Sequence, residues 1–290
     1  MNKKDISVII PARNESETIG EVISKIRELY PDFEVIVVDD GSGDNTAEVA
    51  AKAGAVVFKH PYNIGNGAAV KSGIRIASGE MFLFMDGDGQ HRPEDIGGMI
   101  EYFPEYDMVV GARSRDNQVS FFRGVGNRLL NWLASYVVEF RVKDLTSGFR
   151  AIKADVARNL LYLLPNTYSY PTTITLAVLR SGRGLKYVPI NVNSRRKGKS
   201  DISPFRDGLR FFMIITKICA LYSPLRIFLP ISVTLFLLGL SYYLFTYITM
   251  GRFTNMSALL FSTSIIIFMM GLVSEQICQM RFEKSEGDRF

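Results

Sequence analysis

The stretch FLFMDGDGQH, residues 82–91, begins as an apolar run and ends in two aspartates separated by one glycine. An apolar run that ends in charge is typical of a buried strand whose carboxyl end opens into a site. The sequence therefore predicts that Asp86 and Asp88 lie at the end of a strand. The function depends on which ligand their carboxylates bind.

Strands and helices are predicted to alternate on both sides of this stretch. The run ISVII at 6–10 is followed by Asn14 and Glu17 in capping-box spacing, and then by apolar residues at helical intervals. The segments FEVIVVDDGS, AVVFKH, NIGNGAA and DMVVGAR continue the alternation. This order predicts an α/β fold with a mostly parallel sheet flanked by helices.

Acidic residues follow the ends of the predicted strands. Glu15 comes after the first strand, Asp39 and Asp40 come after the second, and Asp86 and Asp88 come after the fourth. Such sheets bind their ligands beyond the carboxyl ends of the strands. We therefore expect these five side chains to surround one site.

Two long apolar runs without a charged residue lie near the C-terminus, at 227–249 and 257–274. The first is long enough for a membrane-spanning helix and the second is near the lower limit. They predict transmembrane helices at about 227–249 and 256–276. A hydrophobic hairpin buried in a soluble core is the alternative.

This pattern predicts three regions along the chain. A domain over 1–200 carries the alternating strands and helices, and a membrane domain covers 225–290. Between them, 201–224 mixes arginine and lysine with aromatic and aliphatic residues, which predicts an amphipathic helix at the membrane surface.

Basic residues flank the two apolar runs on their outer sides. Lys217 and Arg226 precede the first run, Arg281 and Lys284 follow the second, and Arg252 alone lies between them. The positive-inside rule then places the large N-terminal domain and both termini in the cytoplasm. We expect no signal peptide, because the first apolar run is short and meets Pro11 at once.

The composition favours anionic partners. The 290 residues carry a net charge of +5, which fits phosphates or anionic lipid. A nucleic-acid protein is disfavoured, because the basic residues cluster beside the membrane segments and not with base-stacking aromatics. Cys219 and Cys278 lack CxxC spacing, so a metal or disulfide role is not expected.

A helical stripe is predicted between residues 123 and 140, with Arg123 and Arg128 near its beginning. The helix either packs on the core or lies at the membrane surface with its arginines facing phosphate. The pattern leaves both interpretations open.

The DGDGQ turn suits a divalent cation. Mg²⁺ takes oxygen ligands and usually shares them with substrate phosphates. Asp86 and Asp88, with Gln90 as a further oxygen donor, are the predicted ligands of Mg²⁺ or Mn²⁺. Such a metal would stabilise a leaving diphosphate as a Lewis acid. An ordinary Asp-Gly turn is the alternative.

Five motifs in this order carry a family resemblance: SVIIPARNE, VVDDGS, NIGNGAA, MDGDGQ and TSGFR. Over residues 6–200 the chain resembles family 2 glycosyltransferases of the GT-A fold. With the two apolar runs and the RRKGKS segment, it is similar to the branch that makes polyprenyl-phosphate sugars. That branch includes dolichyl-phosphate mannose synthases and undecaprenyl-phosphate glucosyltransferases.

The resemblance implies roles for individual residues. Asp86, Asp88 and Gln90 would hold the metal on the nucleotide diphosphate, with Gly87 between them. Asp39 or Asp40 would bind the base. The nucleotide pocket would be completed by Pro11, Arg13 and Glu15, and phosphates would be contacted by Arg113, Arg195, Arg196 and Lys199. The alternative for the basic RRKGKS run is a solvated loop or lipid-headgroup binding.

The implied reaction is inverting transfer of a hexose from a nucleotide sugar to a dolichyl or undecaprenyl phosphate. A lipid phosphate is already anionic at neutral pH and needs no general base. Arg123 and Arg128 fit the acceptor phosphate, and Asp144 is favoured as an orienting group over a base.

The donor stays open between GDP-mannose and UDP-glucose types, because Arg13 and Asn66 replace the tyrosine and lysine frequent in the family. A processive polysaccharide synthase would need more spans and a QxxRW motif. A catalytically silent membrane scaffold is the other alternative. Two short spans also leave room for a homo-oligomer.

Overall fold

The computed structural model describes residues 5–103, 105–113, 131–132, 134–136, 138–166, 169–191 and 223–287. By its contacts the chain divides into two units, one of 1–135 with 140–207 and the other of 136–139 with 208–290. The first unit carries a sheet and the second carries two long helices. The predicted boundary at residue 200 and most of the predicted surface helix over 201–224 lie outside the described residues.

Seven strands form one sheet. They are β1 (Ile6–Ala12), β2 (Glu34–Asp39), β3 (Val56–Lys59), β4 (Met81–Phe84), β5 (Met108–Arg113), β6 (Arg150–Lys153) and β7 (Leu185–Ile190). The order across the sheet is β3-β2-β1-β4-β6-β5-β7, and β6 runs antiparallel to β4 and β5 while the other pairs are parallel. The predicted mostly parallel sheet is confirmed, and β6 is an addition that the alternation did not show.

Helices flank this sheet. They are α1 (Ile19–Leu29), α2 (Thr46–Lys52), α3 (Asn66–Ile76), α4 (Ile96–Ile100), α5 (Ala154–Asn159) and α6 (Tyr170–Arg180). α1 buries Ile19, Val22, Ile23 and Ile26 at the spacing of one helix face. Each such side chain removed from water contributes about 1.5–3 kcal/mol before the entropy of ordering it is subtracted.

The start of α1 corrects one expectation. The N-cap is Thr18, so the predicted capping box of Asn14 and Glu17 is wrong. Asn14 instead has a positive φ of 54°, and its Oδ1 accepts a hydrogen bond of 2.8 Å from the Gly43 N–H. This bond joins the loop after β1 to the loop after β2 at the edge of the sheet where the acidic residues lie.

The pairing of β4 with β6 positions the DGD turn. Phe84 lies opposite Arg150 in the antiparallel register. The same register, carried two residues further, sets Asp86 opposite Gly148. A Cβ on Gly148 would lie 2.5 Å from Oδ2 of Asp86, so only glycine permits this approach.

The second unit is a helical hairpin of α7 (Leu225–Met250) and α8 (Asn255–Gly287). Both helices are long and apolar enough to span a membrane, as the two apolar runs predict. Ser232 and Ser264 join them, because the hydroxyl of each donates to the backbone carbonyl of the other at 3.0 and 2.9 Å. At the start of α7, the Leu225 N–H donates to the Glu275 carboxylate at 3.2 Å.

Candidate active site

A cavity of about 330 Å³ opens where β1, β2 and β4 end. Its lining residues are Pro11, Ala12, Arg13, Glu15, Asp40, Asn66, Ala69, Asp86, Gly87, Asp88, Thr146, Gly148, Tyr170 and Pro171. The site therefore lies at the carboxyl edge of the parallel strands, where ligands of open α/β sheets bind.

The structure brings some of the predicted site residues together in this cavity. The cavity contains Pro11, Arg13, Glu15, Asp40, Asp86, Gly87 and Asp88. Four others lie nearby but do not line it: Asp39, Gln90, Arg113 and Asp144. The remaining five lie outside the described residues: Arg123, Arg128, Arg195, Arg196 and Lys199.

Asp86 is held from two sides. Nε2 of the buried His91 lies 3.4 Å from its Oδ2, and the His91 ring stacks on Phe149 with centroids 5.1 Å apart. On the other side Gly148 abuts the carboxylate. Burial acts to raise the pKa of Asp86, but the bond from His91 and the charges of His91, Arg150 and Arg113 outweigh it, and the pKa is lowered. Asp86 is therefore ionised at neutral pH.

The turn that follows Asp86 is anchored by backbone bonds. The Thr18 hydroxyl donates to the Gly87 carbonyl at 2.9 Å, which links the turn to the start of α1. Oδ1 of Asp88 accepts the Gln90 N–H at 3.1 Å. Asp86 and Asp88 both line the cavity, whereas Gln90 contacts Asp88 through its backbone N–H.

Asp40 and His60 form a buried pair beneath the glycine-rich loop. Oδ1 of Asp40 lies 2.7 Å from Nδ1 of His60 and accepts the Ile64 N–H at 2.9 Å, while Oδ2 accepts the Gly65 N–H at 2.8 Å. Nε2 of His60 lies 2.9 Å from the Ser72 hydroxyl. The sequence offered no partner for His60, because its partners are 20 and 12 residues away along the chain.

Asp39 has a different environment from Asp40. Its side chain is fully buried and its Oδ1 accepts the Ser42 N–H at 2.9 Å. Oδ2 has no hydrogen-bond partner among the residues that the structure describes, and the Lys59 ammonium lies 3.9 Å away. Of the two aspartates, Asp40 is the one that faces the cavity.

Asp144 is bound in a bidentate pair with Arg113. Nε and Nη2 of Arg113 lie 2.9 and 3.2 Å from Oδ2 and Oδ1, and the N–H groups of Thr146 and Ser147 donate to Oδ1 at 3.0 and 3.1 Å. Burial acts to raise the pKa of Asp144, but these bonds prevail and lower it. A carboxylate stabilised in its ionised form is a poor proton acceptor and a good orienting group.

Arg150 is a site residue that sequence reasoning did not single out. Its side chain is fully buried, and Nη1 donates to the Pro171 carbonyl at 2.7 Å and to the Thr175 hydroxyl at 3.1 Å. Nη2 donates to the Ser147 carbonyl. The position of Arg150 between the apolar residues Phe149 and Ala151 was the available signal, since a charge in apolar surroundings is rarely buried without a specific partner.

The two carboxylates suit a divalent cation. Asp86 is ionised and shares the cavity with Asp88, and hard oxygen ligands are those that Mg²⁺ and Mn²⁺ prefer. Across the described ranges, no cluster of three His, Cys, Asp or Glu side chains could hold an ion by itself. The carboxylates of Asp86 and Asp88 fit a metal that completes its coordination with substrate phosphates and water.

Comparison with known proteins gives two family matches. Residues 7–161, more than half of the chain, match Glycosyl transferase family 2. Residues 223–280 match the GtrB C-terminal hairpin. The first match covers the strands from β1 to β6, and the second covers α7 and most of α8.

Several curated proteins are similar in sequence. The Methanocaldococcus jannaschii protein MJ1222 is 32% identical over 75% of this chain and 94% of its own length. Undecaprenyl-phosphate mannosyltransferase of Micrococcus luteus is 28% identical over 68% of this chain and 87% of its own. Glycosyltransferase AglJ of Haloferax volcanii is 28% identical over 96% of this chain and 95% of its own.

Solved structures agree with the fold. Glucosyl-3-phosphoglycerate synthase of Mycobacterium tuberculosis in complex with Mn²⁺ and UDP-glucose superposes with a TM-score of 0.58 at 22% identity, over 74% of this chain and 76% of that one. Its complex that also holds phosphoglyceric acid gives 0.59 at 22% identity, over 74% and 79%. These likenesses confirm a GT-A-like fold. The family match over residues 7–161, more than half of the chain, shows that this chain belongs to glycosyltransferase family 2.

Proposed function

We propose that this glycosyltransferase moves a hexose from a nucleotide sugar to a polyprenyl phosphate, with inversion, and forms a lipid-linked monosaccharide. The observation that carries the proposal is one cavity lined by Asp86 and Asp88 in a chain that also has a hairpin of two membrane-length helices. The similarity to an undecaprenyl-phosphate mannosyltransferase over 68% of the chain supports the lipid acceptor.

The nucleotide occupies the N-terminal side of the cavity in this proposal. Pro11, Arg13 and Glu15 line one wall, and Asp40 lies at the base of the glycine-rich loop. Arg13 is exposed and can approach a phosphate or the base. The donor is of the GDP-mannose or UDP-glucose type.

Asp86 and Asp88 would hold Mg²⁺ or Mn²⁺, with Gln90 as the third ligand that the family resemblance implies. When bound, the metal neutralises the leaving nucleoside diphosphate as a Lewis acid. His91 keeps the Asp86 carboxylate in place through the contact of 3.4 Å between Nε2 of His91 and Oδ2 of Asp86.

The acceptor attacks without a general base. Its phosphate oxygen forms a bond to the anomeric carbon from the face opposite the diphosphate, and the bond from that carbon to the diphosphate oxygen breaks. The acceptor is already ionised, so no proton has to be removed. Asp144, paired with Arg113, orients the loop that carries Thr146 into the cavity.

The acceptor phosphate is bound by the guanidinium groups of Arg123 and Arg128. Arg195, Arg196 and Lys199 are proposed as further phosphate contacts, and all five residues are proposed from the sequence alone. The catalytic domain and both termini are on the cytoplasmic side, as the basic flanks of α7 and α8 predict.

The test uses purified full-length protein in detergent, polyprenyl phosphate, Mg²⁺ or Mn²⁺, and a panel of UDP- and GDP-sugars with labelled sugar. Label in the organic extract identifies the donor. Asp88→Asn removes a proposed ligand charge and is expected to lower transfer at least about 100-fold. The control, Glu94→Gln, removes an exposed carboxylate outside the cavity and is expected to keep full activity. Near-normal turnover of Asp88→Asn would reject the metal assignment.

A further inference from the structure

Arg150 is a buried cation to which the proposed mechanism assigns no role. Its side chain has no exposed surface, and no carboxylate of the described ranges forms an ion pair with it. Removing a guanidinium from water costs several kcal/mol, and an apolar side chain of similar volume would often serve stability as well or better. A buried charge kept at such a cost points to a role in the site.

The guanidinium joins two separate parts of the cavity wall. Nη2 donates to the Ser147 carbonyl, in the loop that carries Thr146 and Gly148. Nη1 donates to the Pro171 carbonyl at 2.7 Å and to the Thr175 hydroxyl at 3.1 Å, both in α6. The loop and the start of α6 both line the cavity, so one side chain fixes their separation.

The same charge lies close to the DGD turn. Arg150 pairs with Phe84, the last residue of β4, and Asp86 follows Phe84 by two residues. Gly148 brings the loop held by Arg150 into contact with the Asp86 carboxylate. The guanidinium is also among the charges that act to lower the pKa of Asp86.

We propose that Arg150 is a positioning residue for sugar transfer: its guanidinium fixes the cavity wall opposite the DGD turn and keeps a positive charge beside Asp86. The expected effect on the rate of sugar transfer rests on the proposed function. The expected effect on Mn²⁺ binding rests on Asp86 and Asp88 as the metal ligands. Arg150 itself does not line the cavity, so it acts through the loop, through α6 and through its field.

Two substitutions separate geometry from charge. Lysine keeps the charge but cannot reach three acceptors with a planar fork, and methionine removes both the charge and the bonds. A positive charge near two carboxylates weakens their affinity for a cation. Arg150→Met should therefore bind Mn²⁺ more tightly than the wild type, whereas a variant with merely damaged structure would bind it more weakly.

The experiment measures Mn²⁺ binding by the EPR signal of the free ion, without sugar donor, and the kcat and KM of transfer. Arg150→Met is expected to lower the Mn²⁺ dissociation constant at least about threefold and to lower kcat at least about 100-fold. Arg150→Lys is expected to keep the dissociation constant within about twofold and to lower kcat about tenfold, with donor KM little changed. Unchanged or weaker Mn²⁺ binding by Arg150→Met overturns the charge role, and unchanged kcat in both variants overturns the positioning role.

Thr175→Val is the milder companion if the arginine variants do not fold. It removes one acceptor of Nη1 and keeps the shape of the side chain. A loss of about threefold in kcat at constant donor KM supports the positioning role, and wild-type kcat overturns it. If the wild type makes no lipid product with any donor, the proposed function fails while the Mn²⁺ comparison still tests the charge. No Mn²⁺ binding by the wild type would reject the metal assignment and the charge role together.

Discussion

Gly148→Ala should abolish most activity while leaving the fold nearly intact. The added Cβ would lie 2.5 Å from Oδ2 of Asp86, whereas ordinary van der Waals contact begins near 3.4 Å. The carboxylate must therefore retreat by roughly 0.9 Å, which a side-chain terminus can do at little cost in folding free energy. A displacement of about 1 Å at a reacting centre can cost about 100-fold in rate, equivalent to about 2.7 kcal/mol of transition-state stabilisation.

The assay is transfer of labelled sugar into the organic extract, with kcat/KM measured for each substrate and the melting temperature measured in the same detergent. Gly98→Ala is the matched control, because a Cβ at Gly98 meets nothing within 4 Å. We expect Gly148→Ala to lose about 100-fold in kcat/KM and the control to lose nothing. Activity of Gly148→Ala within about threefold of the wild type would refute the placement of this carboxylate at the reacting centre.

Two further substitutions test buried pairs of the site. His60→Phe leaves Asp40 without its ring partner, so we expect the nucleotide-sugar KM to rise about tenfold and the melting temperature to fall, since removing one partner of a buried hydrogen bond costs about 1–3 kcal/mol. An unchanged KM would show that the glycine-rich loop does not take part in donor binding. Asp144→Asn removes a carboxylate whose pKa lies below its usual value through Arg113, so its ionised form stabilises the fold at neutral pH and that contribution is lost as pH falls through the lowered pKa. Thermal melting should therefore show the variant about 2 kcal/mol less stable at pH 7, with the gap closing below about pH 4. A gap that is constant with pH would contradict the charge assignment.

Much of the site could be predicted because its residues follow strands directly. Asp40 is the first residue after β2 and Asp86 is the second residue after β4, so their place at one edge of the sheet follows from parallel pairing alone. Arg150 and His60 could not be predicted in this way. Their partners lie in other elements, 21 and 20 residues distant for Pro171 and Asp40, and no local pattern encodes such contacts.

The antiparallel strand β6 shows the same limit. RAIK is too short and too mixed in character to signal its direction, yet its pairing with β4 brings Gly148 against Asp86. That contact depends on register across two strands separated by more than sixty residues of chain.

The amino-acid order by itself determined the alternating α/β fold, the two apolar helices and the acidic residues at the strand ends, because hydrophobic period and strand order are local properties. The tertiary structure alone decided which aspartate faces the cavity, which histidine supports each carboxylate, and that a buried arginine joins two of its walls. Those choices depend on burial and hydrogen bonding between distant segments, and these exist only once the chain has packed.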